Sequence, residues 1–458
     1  MKKYITFLLI INIFAGVELF ARDIYVSPSG SSTLYTRDNP GGIKSALTIA
    51  QPGDTIYCLD GTYVDSSASY WSTVFNPARS GTSTAPITIK SYNLQGAYFK
   101  SKIQNYPGIS INGRSYIVID GIKSDAIQFY ASSYGTVKNC EVINGYLQSG
   151  SGTDISLHWG IVLEHSNHCL VQNNYVHNMF DKGNHGHNSA CIMVFGSSDF
   201  NIIEYNTVDG SYPNGAPNNI YNAYGTKAGD MDDNIWRYNF GANCVSGFMA
   251  MGDTAETNYT QRNKLHNNVI IKCTQFLEHH HGGVDWEIYN NTFYSGSRFI
   301  LGKYYTDSSS VCPRDSHVWN NLVHTATDFY HREPSSVDWR VFIAYSNYNQ
   351  VYNNTYYASY AWGSAHYSLS SFRSATGFDG NSFAANPGFV KAGGSSPLDY
   401  RLTSYAANGR GGAYASVIGA YVTGNETIGY RREGVVPVSP QDTSAPSRPT
   451  GVNAVINP

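Results

Sequence analysis

The segment NAYGTKAGDMDDN (222–234) sets Lys227 after a run of apolar and small residues and follows it with a Gly-opened turn holding Asp230, Asp232 and Asp233. A Lys whose pKa is lowered can act as a general base toward a carbon acid. Clustered carboxylates supply the oxygen ligands that Ca2+ prefers. The same residues also suit a solvated Lys beside a polar turn. Farther along, FLEHHHGG (276–283) sets Glu278, His279, His280 and His281 in a row, in a chain with 14 His. Imidazole exchanges protons near neutral pH. An alternating strand exposes only two of these four on one face, and with Leu277 inward they are Glu278 and His280. Further polar residues fall at comparable places: Glu164 and His165 after GIVL, Arg298 and Lys303 around FILG, His331 and Arg332 after DFY. The long segment VHNMFDKGNHGHNSA (176–190) carries His185 and His187, a His-x-His pair that suits a metal weakly and a cleft-lining Gly-His loop better.

The elements that must position these residues are read from a repeat. Apolar–x–[Asn/Tyr]–[Asn/Cys]–x–apolar recurs as VKNCEV, VQNNYV, IEYNTV, LHNNVI, IYNNTF, VWNNLV and VYNNTY, with WRYNFG as a weaker copy. Its fourth position gives Cys140, Asn174, Asn206, Asn239, Asn268, Asn291, Asn321 and Asn354, at steps of 34, 32, 33, 29, 23, 30 and 33 residues. Short alternating strands at that spacing, with turns rich in Gly and Asn, predict an all-β, right-handed parallel β-helix. The stacked Asn side chains are expected to hydrogen-bond along the axis. Such a wall can be nearly neutral, which fits a chain of 458 residues with 14% charged and 14% aromatic residues. The 41% hydrophobic content excludes disorder, and a net charge of −3 argues against a nucleic-acid binder.

Lys2, Lys3 and the apolar run Ile5 to Phe14 read as an export signal over residues 1–21, with cleavage after Ala21. No later stretch is long enough to span a bilayer, so a secreted or periplasmic monomer is expected. Residues 22–434 form the β-helix domain, headed by a capping helix from Ile43 to Ala50. The Pro/Ser-rich tail 435–458 is a linker resembling the first strand of a fibronectin type III module. The seven Cys have no metal-type spacing. Cys244 and Cys273 each follow a ladder Asn by five residues, so they stack either as a disulfide or as free thiols.

On DIYVSPSG (23–30), SALTIAQPGDTIYCLDGTY (45–63), APITIKSY (85–92), NPGFVKAGGSSPLDYRL (386–402) and VIGAY (417–421), the chain resembles secreted carbohydrate-active β-helix proteins, many of them polysaccharide lyases. The resemblance implies β-elimination on an acidic, uronate-containing polysaccharide, with Lys227 as the base. His280 or a nearby cation would then protonate the leaving oxygen, and Arg298, Lys303 or Arg332 would hold the carboxylate. Bound Ca2+ at Asp230, Asp232 and Asp233 would bridge to the sugar, and Tyr212, Tyr221 and Tyr224 could stack on sugar rings. Glu164, His165, His185, His187, Glu278, His279, His281 and His331 complete the expected substrate-binding surface. One departure stands out: the alginate and chondroitin lyase branch has Arg-His-Gly where this chain has FMAMGD (248–253). Arg237 does not replace it, because alternation puts it on another face with Lys138, Gln172, Glu204 and His266. Glycoside hydrolysis by two carboxylates among Asp230, Asp232, Asp233 and Asp253, or a non-catalytic glycan-binding rod, are the alternatives.

Overall fold

The computed structural model describes residues 21–68, 74–102, 107–143, 158–179, 189–211, 221–252, 259–280, 282–303, 313–333, 338–360, 365–403 and 418–431. The chain winds into a parallel β-solenoid of about ten turns. Its strands fall into two sheets of twelve strands, a third of eleven and a separate parallel pair, Thr260–Gln261 with Gly283–Val284, and each long sheet links a strand to its counterpart one coil later. The expected parallel β-helix is the fold observed. Within the three sheets the pairs are parallel, save that His366–Tyr367 runs antiparallel to Tyr356–Tyr360.

The repeat motif is the turn between the first and second sheets, and its two central positions do different work. The third position takes positive φ in every copy: Asn139, Asn173, Tyr205, Tyr238, Asn267, Asn290 and Asn320 lie between 51° and 57°. Asn tolerates this region, and the Tyr copies are held there by the repeating turn and by stacking, as between Tyr205 and Tyr238 at 5.1 Å. The fourth position is the buried ladder. Asn206 Oδ1 accepts from Asn174 N (3.0 Å) and Asn174 Nδ2 (2.9 Å), and the same pair of bonds recurs from Asn206 to Asn239 and onward. Each Asn thus satisfies a buried backbone N–H that the turn would otherwise orphan.

The last rung differs from the expected one. Asn321 N donates to Asn349 Oδ1 (3.0 Å), a step of 28 residues, and Tyr348 carries the positive φ of 56°. VYNNTY (351–356) lies one strand later, with Val351 beside Val323. Asn354 therefore stands five residues past the true rung, because NNT resembles the turn while the turn itself reads NYNQ. A second, shorter ladder joins Cys169, Asn201, Asn234 and Asn263 at the turn after the third sheet, with bonds of 2.7–2.9 Å.

Inside, aromatic rings stack coil on coil: Phe276, Phe299, Phe329 and Tyr357 follow one another at 4.6, 4.9 and 5.0 Å. Cys244 and Cys273 are buried free thiols in contact, with Cys191 beside them. Helix α1 (Ile43–Ile49) buries Ile43, Ala46 and Leu47 next to the first strands. The segment 418–431 adds no coils. It runs back along the outside of the second sheet, meeting one coil after another: Gly419 N to Asn320 O, Ala420 N to Thr292 Oγ1, Asn267 Nδ2 to Ala420 O, Gly429 N to Tyr238 O, Tyr430 N to Thr207 Oγ1 and Arg431 N to Asn173 Oδ1, at 2.8–2.9 Å.

Candidate functional site

The candidate site is the outward face of the eleven-stranded third sheet. Its strands contain a local exception to alternation, since two consecutive residues point into the core (Phe276 and Leu277 in one coil). After that pair alternation resumes, so Gln275, Glu278 and His280 share the outer face. Their contacts agree: Gln275 Nε2 donates to Glu278 Oε2 at 2.8 Å, and His280 Nε2 lies 2.6 Å from Glu278 Oε1.

Strand register turns this face into columns. Glu164, Phe195 and Lys227 are consecutive partners. Continued beyond Ala250, His279 and Gly302, the same column holds Met251, His280 and Lys303, the last beside Glu333. A second column runs Met193, Gly225, Met249, Glu278, Leu301, His331. A third brings Gln275, Arg298 and Asp328 together. The earlier coils are apolar outside as well as inside: Trp159, Val162, Ala190, Met193 and Met249 form their own cluster, with Phe195 and Met251 against it.

Lys227 sits at the end of strand Asn222–Lys227, half-buried, with Phe195 as its register neighbour. No ion-pair partner for it occurs among the described residues, and burial alone lowers its pKa. Glu164, two coils earlier, is half-buried; desolvation raises its pKa although Gln128 Nε2 donates to it at 3.0 Å. On the later coils, His331 Nδ1 lies 2.7 Å from Ser359 Oγ and 3.3 Å from Asp328 Oδ2. Burial opposes its imidazolium, but hydrogen bonds to Asp328 and Glu333 outweigh that and raise its pKa. Arg298 is half-buried and its charge is felt at His331.

The expected site residues therefore separate. Glu164, Lys227, Glu278, His280, Arg298 and His331 share the outer face, and Lys303 belongs to it by register, its side chain lying outside the described residues. Glu278 and His280 face outward as expected from an inward Leu277, yet both are fully buried. Arg298 is three strands from the coil of Lys227, about 14 Å along the stack at the usual strand spacing. His165 is exposed on the turn just past this face, edge-on to Tyr130 at 5.7 Å. His185, His187, His281, Tyr212 and Asp253 lie outside the described residues.

Three expectations are corrected by alternation. Tyr224 is in the core, its hydroxyl donating to Asn206 O (3.1 Å) and Phe240 O (2.9 Å), so it offers no face to a sugar. His279 points inward between Trp286 and Phe342, and its pKa is pushed down to about 3 by burial and by His280. Arg332 is interior, its guanidinium over the rings of Trp339 and Tyr360 at 5.4 and 5.5 Å. Arg237 stands where expected, in column with Glu204 and His266, and donates to Glu204 Oε2 at 2.8 Å.

The Asp cluster does not fit a Ca2+ cradle. Asp233 is a positive-φ turn residue, and the guanidinium of Arg262, one coil later, donates to both Asp232 Oδ2 and Asp233 Oδ2 at 2.8 Å. A fixed cation already occupies the place where the carboxylates converge. Asp230 is exposed and outside that pairing. Gln275, Asp328 and Glu333 were missed; the paired inward residues of their strands, Phe276 and Leu277 in QFLEH and Phe329 and Tyr330 in DFYHRE, are the signal that places them.

No protein-family model and no curated protein sequence matches the chain. Solved structures do. A rhamnogalacturonan lyase aligns with TM-score 0.54 and 14% identity over 88% of this chain and 100% of its own. Pectate lyase Pel9A aligns with TM-score 0.51 and 15% identity over 89% and 90%. A mannuronic-acid-specific family 6 polysaccharide lyase of human gut microbiota gives 0.48 and 15% over 74% and 76%. At these identities the likeness is one of fold: the chain is a parallel β-helix of the kind on which polysaccharide lyases are built.

Proposed function

We propose that the chain is an exported polysaccharide lyase that cleaves a uronate-containing glycan by β-elimination, with Lys227 as the base. The observation that carries this reading is the state of Lys227: half-buried, pKa lowered by desolvation, and set on the outer sheet face. A neutral amine there takes the proton α to the uronate carboxyl. The electron pair forms the C4–C5 double bond, and the C4–O bond breaks. The leaving oxygen takes its proton from His280, two coils away in the same column, or from the newly formed Lys227 ammonium. The His280 route requires the imidazole to be uncovered, so a His280→Gln variant separates the two sources. Arg298 is too far to serve the same sugar unit and would hold the carboxylate of another. No step passes through Ca2+, since Arg262 fills the Asp cluster.

The test is ultraviolet absorbance of the unsaturated uronate during incubation with alginate, pectate and glycosaminoglycans. Absorbance should rise with one of them, and Lys227→Ala should reduce the rate by about 10²–10⁴, the range of a lost general base. The rate should climb with pH through a pKa below the ordinary Lys value, because only the neutral amine accepts a proton. Full activity in Lys227→Ala would remove the residue from the mechanism.

A further inference from the structure

A cavity of about 790 Å3 opens on the outer surface of the second sheet, a different side of the solenoid from Lys227. That volume is within the range of sites for small organic ligands, about 300–1,000 Å3. One wall is a single outward column, Glu141, Tyr175, Thr207 and Phe240, which are consecutive register partners. The other wall comes from the stretch Ser395 to Leu398 and from the returning segment, with Pro397 and Tyr430.

The two walls are locked together. Tyr430 N donates to Thr207 Oγ1 at 2.8 Å, and Gln95 Nε2 donates to the Tyr430 hydroxyl at 2.7 Å. The site is thus assembled before any ligand arrives, which lowers the ordering cost of binding.

Its chemistry combines flat aromatic surface with one carboxylate, Glu141, and one guanidinium, Arg431. Tyr175 is stacked between His177 (4.0 Å) and Tyr430 (5.8 Å), a three-ring block at the cavity wall. Glu141 Oε1 meets His177 Nε2 at 3.0 Å and Lys123 Nζ at 3.4 Å, and among the described residues Oε2 has no hydrogen-bond partner, so it can accept from a ligand. The His177 hydrogen bond, against desolvation and with help from Lys123, holds this carboxyl below its ordinary pKa. It therefore stays ionised at neutral pH.

A carboxylate accepting from hydroxyls and ring faces covering C–H groups match the two kinds of surface on a pyranose. Glu141 and Arg431 balance in charge across the lining, so a uronate carboxylate would find no net positive charge there and a neutral sugar suits it better. We infer that this cavity between the second sheet and the returning C-terminal segment binds a neutral hexopyranose unit of a glycan. The inference stands apart from cleavage at Lys227 and requires only that the chain meets glycans.

Calorimetric titration of the full chain with neutral hexasaccharides of glucose, mannose and galactose tests it. At least one should bind, and Glu141→Gln should weaken that binding about tenfold, the effect of one lost charged hydrogen bond. Tyr430→Ala should weaken it similarly, whereas Tyr430→Phe, which keeps the ring and the backbone tie, should retain most of it. Lys227→Ala should leave it unchanged. Absence of binding by all three sugars overturns the inference. So does binding that survives both Glu141→Gln and Tyr430→Ala, or that is lost in Lys227→Ala. Because no turnover is measured, an inactive enzyme would not disturb the outcome.

Discussion

The Asn turn and the outer face of the third sheet are built by the same parallel stacking and put it to opposite use. At the turn, one residue type repeats through Asn174, Asn206, Asn239, Asn268, Asn291, Asn321 and Asn349, and each bond is a copy of the last. On the outer face the column Glu164, Phe195, Lys227 has no two residues alike, and its neighbours pass from a methionine-rich patch to a cluster of Glu, His, Asp and Arg. Repetition holds the coils in register, and chemistry occupies the positions that repetition leaves free. The lesson is that a solenoid column with mixed residue types is where a site should be sought.

Separate variants can break that division. The largest effect is expected from Lys227→Ala, whose loss of turnover should come with a stability change within about 0.5 kcal/mol, as for other substitutions outside the packed core. A melting temperature that fell together with activity would make Lys227 part of the scaffold instead. Next, Asn268→Ala removes bonds to Trp236 O and Asn291 Oδ1 and strips Asn239 N of its acceptor, all buried. A loss of about 3 kcal/mol in chemical denaturation is expected from leaving such groups unsatisfied. Retained stability there would show that the ladder is ornamental to the fold.

Two histidines sharpen the comparison through pH. His279, inside, has its pKa lowered from 6.5 to about 3. Between those values the unfolded chain binds a proton that the folded chain refuses, so this contribution is complete above 6.5 and is lost as pH falls. His331, outside, has a raised pKa, so its contribution is complete below the ordinary value and is lost as pH rises through the raised one. Replacing each by Gln should flatten the stability profile on opposite sides of the ordinary imidazole pKa; a shared slope would overturn the inward and outward assignments. The smallest effect belongs to Arg262→Ala. Its pairs with Asp232 and Asp233 are largely solvent-exposed, and the loss should stay below about 1 kcal/mol.

The fold was readable from sequence because the turn demands Asn or Tyr at positive φ and Asn behind it, and few other residues satisfy both demands. The misplaced final rung at Asn354 shows the limit, since a lone NN pair scores as a turn wherever it falls. The second ladder escaped notice because only Asn201, Asn234 and Asn263 mark it and their neighbours vary. On the candidate face, the outward placement of Glu278 and His280 was legible from alternation. The same alternation, applied from Lys227 backward, sends Tyr224 inward, and it divides His279 from His280 and His331 from Arg332. What could not be read was cover: His280 faces outward yet is buried, and burial on an outer face depends on loops that follow no period.

The returning segment 418–431 has a consequence for how the molecule comes apart. A stack in which each coil touches only its neighbours can unzip from either end, one coil at a time. Here a stretch from the far end of the chain is tied successively to Asn320, Thr292, Asn267, Tyr238, Thr207 and Asn173. It works as a measuring strip laid against a finished stack. It can seat only when every coil between the outermost ties is present and in register, so a coil that slips or melts in the middle is felt at the C-terminus.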